Sequence, residues 1–486
     1  MIYKPFGKTG KMVSALGMGV SRFLPKEYDT PEGMGRCAQV IVRAAELGIN
    51  YFDVGPSYCD WRAEEMLGMA LKEIQGEVYV SAKSSSTQDP TASALRKRLE
   101  ASLSKLGVEK ITFYNMWGLL DYAQYQDVIK PNGPLAGAIQ AKEEGLIEHI
   151  CFSAHCTGEE IEKILEDGHF EGMTFGYNAI NFKYREKGLQ AAKERGLGVA
   201  IMNPLYGGVM VHNADQFNFI KNDPNHSVAQ AALLFVASHD AVSTVLSGMT
   251  RIEEIDENVR VFEKRYIFPA DKIAAIKEKI ISDFDSLCTG CQYCSGCPQG
   301  IEIHKLMLAY NQFLLANRSV ETFRSYMRDV WRYTDETKFP CIACGRCERK
   351  CTQHIKIIDR IAQINTFAQD YLMGVAGRLK ELFEHDMSTA LGIYAAGPFA
   401  KRIVNMYRKL IGEIDFPIVF YDSNPDKWDK CLILDGCPVQ QLTRGHVLEN
   451  HVSKIIIASE AFADEIFEQI RFIEEDGVDV IRAEIR

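Results

Sequence analysis

The sequence lacks the features that mark membrane, secreted and nucleic-acid-binding proteins. No apolar run reaches the roughly 18 to 20 residues that a membrane-spanning helix requires. Residues 1–7 contain no basic stretch followed by an apolar core, so no secretory signal is predicted. Positive charge is not in excess either, because the net charge is −10 and binding a nucleic-acid backbone needs clustered Lys and Arg. We therefore expect a cytoplasmic protein without a membrane span or a nucleic-acid partner.

Length, composition and cysteine content indicate what class of protein this is. The chain has 486 residues, 47% of them hydrophobic and 25% charged, which is typical of globular proteins. A single hydrophobic core rarely serves more than about 250–300 residues, so two or three domains are predicted. Fourteen cysteines are present, and eight of them fall into two tight groups. Without an export signal, this grouping favours metal ligation in a reducing compartment over disulfide bonds.

The first 268 residues alternate β-rich segments with amphipathic helical patterns. Strands are predicted at 13–19, 50–54, 77–83, 110–117, 147–154, 173–178, 198–204 and 242–248. Helical patterns between them include 92–106, 159–166 and 228–236. Eight strand–helix units in about 260 residues are typical of a (β/α)8 TIM barrel. A doubly wound sheet is the alternative, but a Gly-rich nucleotide turn does not follow the first predicted strand.

Residues 269–385 read as a helical module that carries both cysteine groups. In the first group, Cys288 to Cys297, two residues separate each cysteine from the next, and Pro298 follows the last one. In the second group, Cys341 to Cys351, the first two gaps are also two residues long and the last gap is three. Such runs wrap three thiolates around one [4Fe–4S] cluster, and the fourth cysteine commonly binds the other cluster. We expect one cluster on Cys288, Cys291, Cys294 and Cys351, and the second on Cys341, Cys344, Cys347 and Cys297.

Zinc is the alternative metal for these cysteines, because zinc also binds CxxC pairs in four-thiolate sites. The equal short spacing and Pro298 favour iron–sulfur. The segment is similar to helical two-cluster ferredoxins, although Thr352 stands where a proline often follows the final cysteine. The other six cysteines are expected to be thiols in or near cores.

Polar residues stand at the predicted carboxyl ends of the barrel strands, where the chemistry of such barrels gathers. Asp53 ends the second strand, Lys83 ends the third, and Tyr58 follows in the loop after the second. A lysine that ends a buried strand needs a carboxylate partner, and Asp53 on the neighbouring strand can supply one. Similar places on later strands hold Asn115, His155, Asn178, Asn203 and Ser247.

These residues resemble the aldo/keto reductase family over about residues 1–265, and the barrel with its cysteine module resembles an iron–sulfur branch of it. The resemblance rests on the segment 48–58, on Lys83, on the turn 203–208 and on the segment 247–258. It implies interconversion of a carbonyl and an alcohol with NADPH or NADH. Tyr58 would protonate the carbonyl oxygen, Lys83 would lower the tyrosine pKa from about 10, and Asp53 would keep Lys83 charged.

The resemblance also implies cofactor contacts. Ser153 and Asn178 would meet the nicotinamide amide, and Ser247, Gly248 and Thr250 open a helix whose N–H groups suit a phosphate. Glu254 and Asn258 resemble positions near the adenosine, and Arg251 would meet a 2′-phosphate and favour NADPH.

One position departs from the family pattern. The family's histidine on the fourth strand falls on Trp117, with Asn115 one outward step earlier. An asparagine can hydrogen-bond a carbonyl but cannot carry a proton as an imidazolium does. His155 at the end of the fifth strand is therefore the candidate substitute.

The two modules pose an electron-counting problem, because nicotinamide transfers two electrons as hydride and a cluster takes one. Flavin is the usual converter between them. The sequence leaves three options open: a flavin in place of nicotinamide, a substrate that accepts single electrons, or clusters that are structural or sense redox state. A ferredoxin-type protein is the expected electron partner if the clusters transfer electrons. The competing interpretation is an electron-transfer or redox-sensing protein whose barrel has lost reductase chemistry.

Residues 386–486 return to α/β alternation, with strands predicted at 392–396, 417–421, 454–458 and 479–483. The segment 392–400 is a degraded dinucleotide turn, and Asp422 lies where a ribose-binding acid is expected. This region resembles Rossmann-like domains fused to sugar and surface-glycan biosynthesis proteins. An interaction or scaffolding role is favoured, and the alternative function is a glycan-biosynthesis accessory protein that binds a nucleotide or sugar nucleotide.

Overall fold

The computed structural model describes residues 1–264, 266, 268–284 and 287–483. This part of the chain divides into two compact units: residues 1–323 with 342–358, and residues 324–341 with 359–486. None of the helices described is both long enough and apolar enough to cross a bilayer.

The strands of the described residues are β1 Tyr3–Pro5, β2 Met12–Ser14, β3 Leu16–Gly19, β4 Tyr51–Asp53, β5 Tyr79–Ser85, β6 Ile111–Leu119, β7 Ile147–Ala154, β8 Gly172–Gly176, β9 Gly198–Met202, β10 Thr244–Ser247, β11 Ala390–Tyr394, β12 Ile418–Tyr421, β13 Val439–Gln440, β14 Val452–Ile457 and β15 Asp479–Arg482.

The helices of the same residues are α1 Pro25–Tyr28, α2 Pro31–Glu46, α3 Ala63–Leu71, α4 Ala92–Leu106, α5 Tyr122–Val128, α6 Pro134–Glu143, α7 Gly158–Glu166, α8 Glu186–Arg195, α9 Val209–His212, α10 Ala214–Phe217, α11 Val228–Ala237, α12 Ile252–Arg260, α13 Ala270–Asp283, α14 Ile303–Leu315, α15 Val320–Asp329, α16 Arg346–Arg349, α17 Ile357–Phe383, α18 Pro398–Leu410, α19 Arg444–Glu449 and α20 Ala463–Ile470. Short 3-10 turns lie at Phe182–Tyr184, Tyr206–Gly208, Asn218–Ile220, Pro425–Lys427 and Arg471–Asp476.

The first unit contains the predicted barrel. Within the described residues, eight parallel strands close in the order β10-β3-β4-β5-β6-β7-β8-β9. Apolar side chains of the strands and of the surrounding helices form one continuous core, as at Leu16, Ile41 and Phe52. Parallel pairing brings the carboxyl ends of the strands to one face, with Asp53 opposite Ser81 and Lys83 opposite Asn115. The predicted TIM barrel is therefore confirmed.

The predicted first strand, 13–19, is wrong in its extent. Residues Met12–Ser14 pair with Tyr3–Pro5 in an antiparallel hairpin, and the barrel strand begins only at Leu16. The hairpin carries Phe6 into the amino end of the barrel, where its ring centroid lies 4.3 Å from that of Phe113. A Cβ at Gly198 would lie 2.1 Å from the Phe6 ring, so only glycine fits there. This contact between distant segments decides where the barrel strand starts.

The predicted helices follow their local signals. Helix α4 covers exactly 92–106: the Thr91 hydroxyl accepts the N–H of Ala94 at 3.2 Å, and Gly107 ends the helix at φ 66°. Helices α7 and α11 occupy the other two predicted segments, each opened by a reciprocal hydrogen-bond pair at Thr157 or Ser227.

The described residues between α13 and β11 contain helices α14 to α17 and no strand, as the sequence predicts for the cysteine module. Tight turns separate the cysteines within each group. Gly290 and Gly345 adopt φ values of 68° and 72°, a region that side chains disfavour. Glycine at these two positions therefore permits the tight turns between the cysteines.

The second unit contains a parallel sheet of five described strands in the order β13-β12-β11-β14-β15. The carboxyl-terminal part of α17 packs on this sheet, with Val375 and Leu379 against Ile393 and Ile456. The four predicted strands correspond to β11, β12, β14 and β15, whereas the two-residue β13 has no pattern long enough to predict.

Candidate active site at the carboxyl end of the barrel

Asp53 and Lys83 form a buried ion pair at the end of β4 and β5. The Lys83 side chain is 1% exposed, and its Nζ donates to Asp53 Oδ1 and, at 3.0 Å, to the carbonyl of Val54. Burial alone would lower the pKa of Lys83, but Asp53 and Tyr58 together raise it above its usual value. The lysine is therefore charged at neutral pH inside the barrel.

Tyr58 lies beside this ion pair, with its ring centroid 4.9 Å from Lys83 Nζ. The predicted direction of its pKa is wrong. Burial raises the pKa of Tyr58 above its usual value, and the charge of Lys83, although it acts downwards as expected, does not outweigh burial and Asp53. The phenol is consequently protonated at neutral pH.

The backbone around Tyr58 is sterically constrained. A Cβ at Gly55 would lie only 3.2 Å from the Tyr58 ring. The three residues that follow the tyrosine, Cys59, Asp60 and Trp61, all have positive φ, between 50° and 71°. Consecutive non-glycine residues in this region cost energy and persist only when the surroundings fix them. The loop therefore holds the phenol in one place.

Asn115 does not face an open site. Its amide donates to Ser81 Oγ at 3.0 Å and accepts from Thr174 Oγ1 at 3.2 Å, and Ser81 in turn donates to Asp53 Oδ2 at 2.8 Å. The asparagine thus stabilises the Asp53 carboxylate through Ser81. Beside Tyr58, the ring of Trp117 lies edge-on at 5.7 Å between centroids.

His155 follows β7, and its imidazole contacts the cysteine module. Its Nε2 lies 3.1 Å from the hydroxyl of Tyr293, which stands between Cys291 and Cys294. Burial, assisted by the charge of Arg185, lowers the pKa of His155 to about 3. The imidazole is neutral at physiological pH, so it acts here as a hydrogen-bonding group. The barrel sequence contains no signal for Tyr293 because it lies 138 residues away.

Two of the expected cofactor contacts contain buried polar atoms without a partner. Ser153 Oγ and Asn258 Oδ1 make no hydrogen bond within the described residues. Buried polar groups are rarely left unpaired in folded proteins, and both atoms are available to hydrogen-bond a ligand. Asn178 is largely satisfied, since its oxygen accepts from Ile180 and Asn181 and its amide donates to Asn203 O at 2.9 Å.

The segment after β10 leads into a helix, as expected, but some of its backbone N–H groups already donate to a side chain. Ser247 ends the strand, and α12 begins after Arg251. The Glu254 carboxylate accepts the N–H groups of Thr250 at 2.8 Å and Arg251 at 3.3 Å, and it also pairs with the Arg251 guanidinium. A phosphate at this helix start has to displace Glu254.

Arg22, which sequence reasoning did not identify, lies at the same place. A Cβ at Gly248 would meet Arg22 Cγ at 2.4 Å, so the glycine gives this side chain room. The charge of Arg22 also reaches Tyr58, where it acts to lower the pKa. An exposed cation beside the strand-end glycine suits an anionic ligand.

The first cysteine group and Cys351 lie close together. Burial, together with the neighbouring thiols Cys291 and Cys351, raises the pKa values of Cys288 and Cys294 to about 12 each. Backbone N–H groups point at sulfur, from Gly290 to Cys288 Sγ at 3.3 Å and from Ile355 to Cys351 Sγ at 3.4 Å. Thiols that oppose each other's ionisation gain when a cation binds between them.

A buried guanidinium adjoins this group. Arg185 is 1% exposed, and its two Nη atoms donate to the carbonyls of Cys156 and, at 2.7 Å, Thr352, the residue after Cys351. Its Nε has no hydrogen-bond partner in the part of the chain that is described. Burial lowers the pKa of Arg185 to about 10, so it carries its charge at neutral pH. A buried cation whose hydrogen bonds go to neutral carbonyls favours an anionic neighbour.

The other predicted ligands are divided between the units. Cys297, Cys344 and Cys347 belong to the first unit and Cys341 to the second. Among the described residues, no group of three or more His, Cys, Asp or Glu side chains is arranged to hold a metal ion. A four-iron core separates its thiolates more widely than a single ion does.

In the second unit, the predicted ribose acid is already engaged. Asp422 Oδ2 accepts from Lys427 Nζ at 2.6 Å, and Oδ1 accepts the N–H of Asn424 at 2.9 Å. Ala395 takes φ 70° at the turn after β11, where the dinucleotide pattern has glycine.

Comparisons with known proteins bear on residues 15–281, which match the family model described as the aldo/keto reductase family. The chain is 24% identical over 262 residues to an oxidoreductase of Schizosaccharomyces pombe, covering 52% of this chain and 83% of that protein. It is 24% identical over 284 residues to L-galactose dehydrogenase of Arabidopsis thaliana, covering 53% and 86%. Among solved structures, an aldo-keto reductase from Bacillus halodurans in its holo form aligns at 19% identity and TM-score 0.48, covering 58% of this chain and 96% of that one.

Proposed function

The chain belongs to the aldo/keto reductase family and is an NAD(P)-dependent oxidoreductase, and we propose that it interconverts a carbonyl and an alcohol with NADPH at Asp53, Tyr58 and Lys83. The observation that carries the proposal is the buried Lys83 ammonium, bound by Asp53 and Val54 beside the Tyr58 ring. An isolated buried lysine would lose its charge, so the positive charge of Lys83 depends on its partners in the site. When Tyr58 gives up its proton, the neighbouring Lys83 ammonium stabilises the tyrosinate that forms.

The proposed mechanism follows from the protonation states. A bound nicotinamide supplies the hydride that reaches the carbonyl carbon. Tyr58 donates its phenolic proton to the carbonyl oxygen, which becomes the alcohol hydroxyl. Its raised pKa keeps this proton in place before reaction, and Lys83 stabilises the tyrosinate formed. Asp53 keeps Lys83 charged, and Asn115 orients Asp53 through Ser81.

The residues expected to hold the nicotinamide cofactor fit such a ligand. The unpaired buried atoms Ser153 Oγ and Asn258 Oδ1 offer hydrogen bonds to amide and adenine groups. Arg22 and Arg251 are exposed cations beside the strand-end segment, and they suit phosphates. Glu254 competes at the helix start, and its release of Thr250 and Arg251 on binding would free both N–H groups.

The test uses the full chain, purified anaerobically, and a panel of methylglyoxal, glyceraldehyde and L-galactose with NADPH or NADH and their oxidised forms. We expect turnover of NADPH, and a 100-fold to 10,000-fold loss of kcat in Tyr58→Phe, the range typical of a removed general acid. Tyr3→Phe, at the opposite end of the barrel, is the matched control. Full activity in Tyr58→Phe would refute the assigned site, and no turnover with either coenzyme would refute the function.

We further propose that the eight cysteines hold two [4Fe–4S] clusters, in the grouping given by their spacing. Three observations fit an anionic cluster in the first group: the mutual proximity of the Cys288, Cys294 and Cys351 thiols, the N–H groups aimed at sulfur, and the buried Arg185 guanidinium, whose Nε lacks a partner among the described residues. Iron and sulfide analysis distinguishes clusters from zinc: about eight of each per chain is expected, whereas zinc without sulfide would refute the proposal.

The clusters are proposed to exchange electrons with the barrel site, with a ferredoxin-type protein as partner. The test is a visible-absorption titration of the anaerobic protein with NADPH. Bleaching of the cluster band would support exchange and call for a search for bound flavin. An unchanged spectrum that dithionite still bleaches would refute exchange with NADPH and leave the clusters a structural or sensing role.

For the carboxyl-terminal region we propose a Rossmann-like domain over 386–486, after a barrel over 1–268 and a helical module over 269–385. The strand order β13-β12-β11-β14-β15 supports it, because doubly wound sheets place their first strand centrally in this way. Asp422 is engaged by Lys427, which favours an interaction role over nucleotide binding. Calorimetric titration of the full chain with UDP-glucose and ATP tests the preference for an interaction role. Saturable binding that Asp422→Ala abolishes would refute that preference and show nucleotide binding instead.

A further inference from the structure

The loop between the first cysteines contributes a side chain to the barrel. Tyr293 lies between Cys291 and Cys294, and its hydroxyl is 3.1 Å from His155 Nε2. The two rings meet at 5.0 Å between centroids with an interplanar angle of 61°. The backbone N–H of His155 donates to the carbonyl of Leu119 at 2.7 Å, two residues along β6 from Trp117, whose ring packs on that of Tyr58. A segment outside the barrel motif therefore reaches the carboxyl ends of β6 and β7, next to the residues that adjoin Tyr58.

Specific contacts fix this loop to the barrel. The Tyr206 hydroxyl donates to the carbonyl of Leu287, just before the loop. A Cβ at Gly207 would lie 2.4 Å from the Thr289 carbonyl oxygen, so the two backbones approach as closely as glycine allows. Asn311 holds both backbone groups of Cys288, accepting its N–H at 2.8 Å and donating to its carbonyl at 2.7 Å. The position of Tyr293 is thus set by packing.

The barrel has an unfilled role at this place. A carbonyl oxygen that gains charge as hydride arrives is stabilised by a second hydrogen-bond donor besides the proton donor. Trp117, which packs edge-on against Tyr58, occupies the position where the family resemblance expects a histidine. Tyr293 offers a hydroxyl, and His155 can bind the oxygen of that hydroxyl and so leave its hydrogen for another acceptor.

We propose that Tyr293 is a catalytic residue of the barrel site, with its oxygen held by His155 and its hydroxyl hydrogen donated to the substrate carbonyl oxygen that Tyr58 protonates. This inference rests on the proposed reductase function. The Tyr293 proton stays on the phenol throughout, and Tyr58 supplies the proton that is transferred. One side chain thereby joins the two modules, because whatever fixes the loop between Cys291 and Cys294 also fixes this donor.

The test compares Tyr293→Phe with the wild type in NADPH-dependent reduction of methylglyoxal and glyceraldehyde by the full chain. We expect kcat/KM for the carbonyl to fall about tenfold, the effect of losing one hydrogen bond in the transition state. The Kd for NADPH, from nicotinamide fluorescence, should stay within twofold, because the hydroxyl faces the carbonyl. Tyr326→Phe, a half-buried tyrosine of α15, is the matched control and should match the wild type.

The His155→Leu variant tests the same inference from the barrel side, without changing the loop between the cysteines. It should cause a loss similar to Tyr293→Phe, and the double variant should lose no more than either single variant, since both changes break the same unit. Additive losses, or wild-type kinetics in Tyr293→Phe while Tyr58→Phe is inactive, would overturn the inference and leave the proposed function standing. A wild type that reduces neither aldehyde, nor any other of the panel, would overturn both.

Discussion

The indole of Trp117 meets the ring of Tyr58 edge to face, with 5.7 Å between the two centroids. An indole N–H is a hydrogen-bond donor and does not titrate near neutral pH. Proton chemistry beside Tyr58 is therefore left to the tyrosine and to Lys83. His155, which follows β7, is held neutral by burial.

The protonation states of His155 and Tyr58 predict how the rate of reduction depends on pH. The pKa of His155 is lowered to about 3, so it stays neutral above pH 5, and the pKa of Tyr58 is raised, so its proton is lost only in strongly alkaline solution. We expect kcat/KM for reduction to be flat from pH 5 to 9 and to fall only above that range. Stopped assays across this range check the prediction. A transition near pH 6.5 would assign the proton to a histidine instead.

The Asp53–Lys83 pair should dominate the stability of the site. Asp53→Asn leaves a buried ammonium without its counter-ion and should lower the free energy of unfolding by about 3–5 kcal/mol. Adding Lys83→Met should recover most of this loss. Because the folded pKa of Lys83 is raised, its stabilising contribution is complete below about pH 10 and is lost as pH rises through the folded value. Urea unfolding at pH 7 and pH 11 measures both effects; equal stability of the single and double variants would contradict the pairing.

Ser153→Ala separates ligand binding from folding. The Ser153 hydroxyl is buried without a hydrogen-bond partner in the described residues, so removing it should leave the free energy of unfolding unchanged or raise it by about 1 kcal/mol. Affinity for NADPH should fall about tenfold. Ser102→Ala is the contrasting control, since that hydroxyl donates to the buried Glu64 carboxylate at 2.6 Å and lies between α3 and α4. It should lose stability and keep NADPH affinity; the reverse pattern would exclude Ser153 from the cofactor site.

Arg185→Gln tests the anionic character of the first cysteine group. Loss of a buried positive charge should make the midpoint potential of a nearby cluster more negative by tens of millivolts, because the reduced form carries one more negative charge. Lys187→Gln removes an exposed charge from the first turn of α8, the helix that Arg185 precedes, and should change the potential little. Redox titration followed by electron paramagnetic resonance measures the shift. Equal potentials in both variants would show that Arg185 does not adjoin a cluster.

Several predictions from the sequence correspond closely to the structure because their signals are local. Strand–helix alternation identifies the barrel, and the capping residue Thr91 with Gly107 fixes α4 to the residue. The Asp53–Lys83 pair could be predicted because parallel neighbours bring their carboxyl ends together and a buried lysine needs a carboxylate.

Other features depend on contacts that no local pattern contains. The first barrel strand is shortened because Phe6 of the hairpin inserts against Phe113. The pKa of Tyr58 moves opposite to the prediction because burial, which a sequence does not give, outweighs the lysine charge. The positions of Arg22 beside Gly248 and of Tyr293 beside His155 were not predicted because the two residues of each pair lie far apart in the chain.

The sequence by itself determined the barrel and the charged pair, since each follows from spacing along a strand, helix or loop. The grouping of the eight cysteines stays a prediction from their spacing. Only the tertiary structure decided which groups are buried and which loops meet. Burial sets the proton states of Tyr58 and His155, because removing water changes the cost of charge. The meeting of His155 with Tyr293 depends on packing between segments 138 residues apart, and such packing is fixed by the folded shape of both.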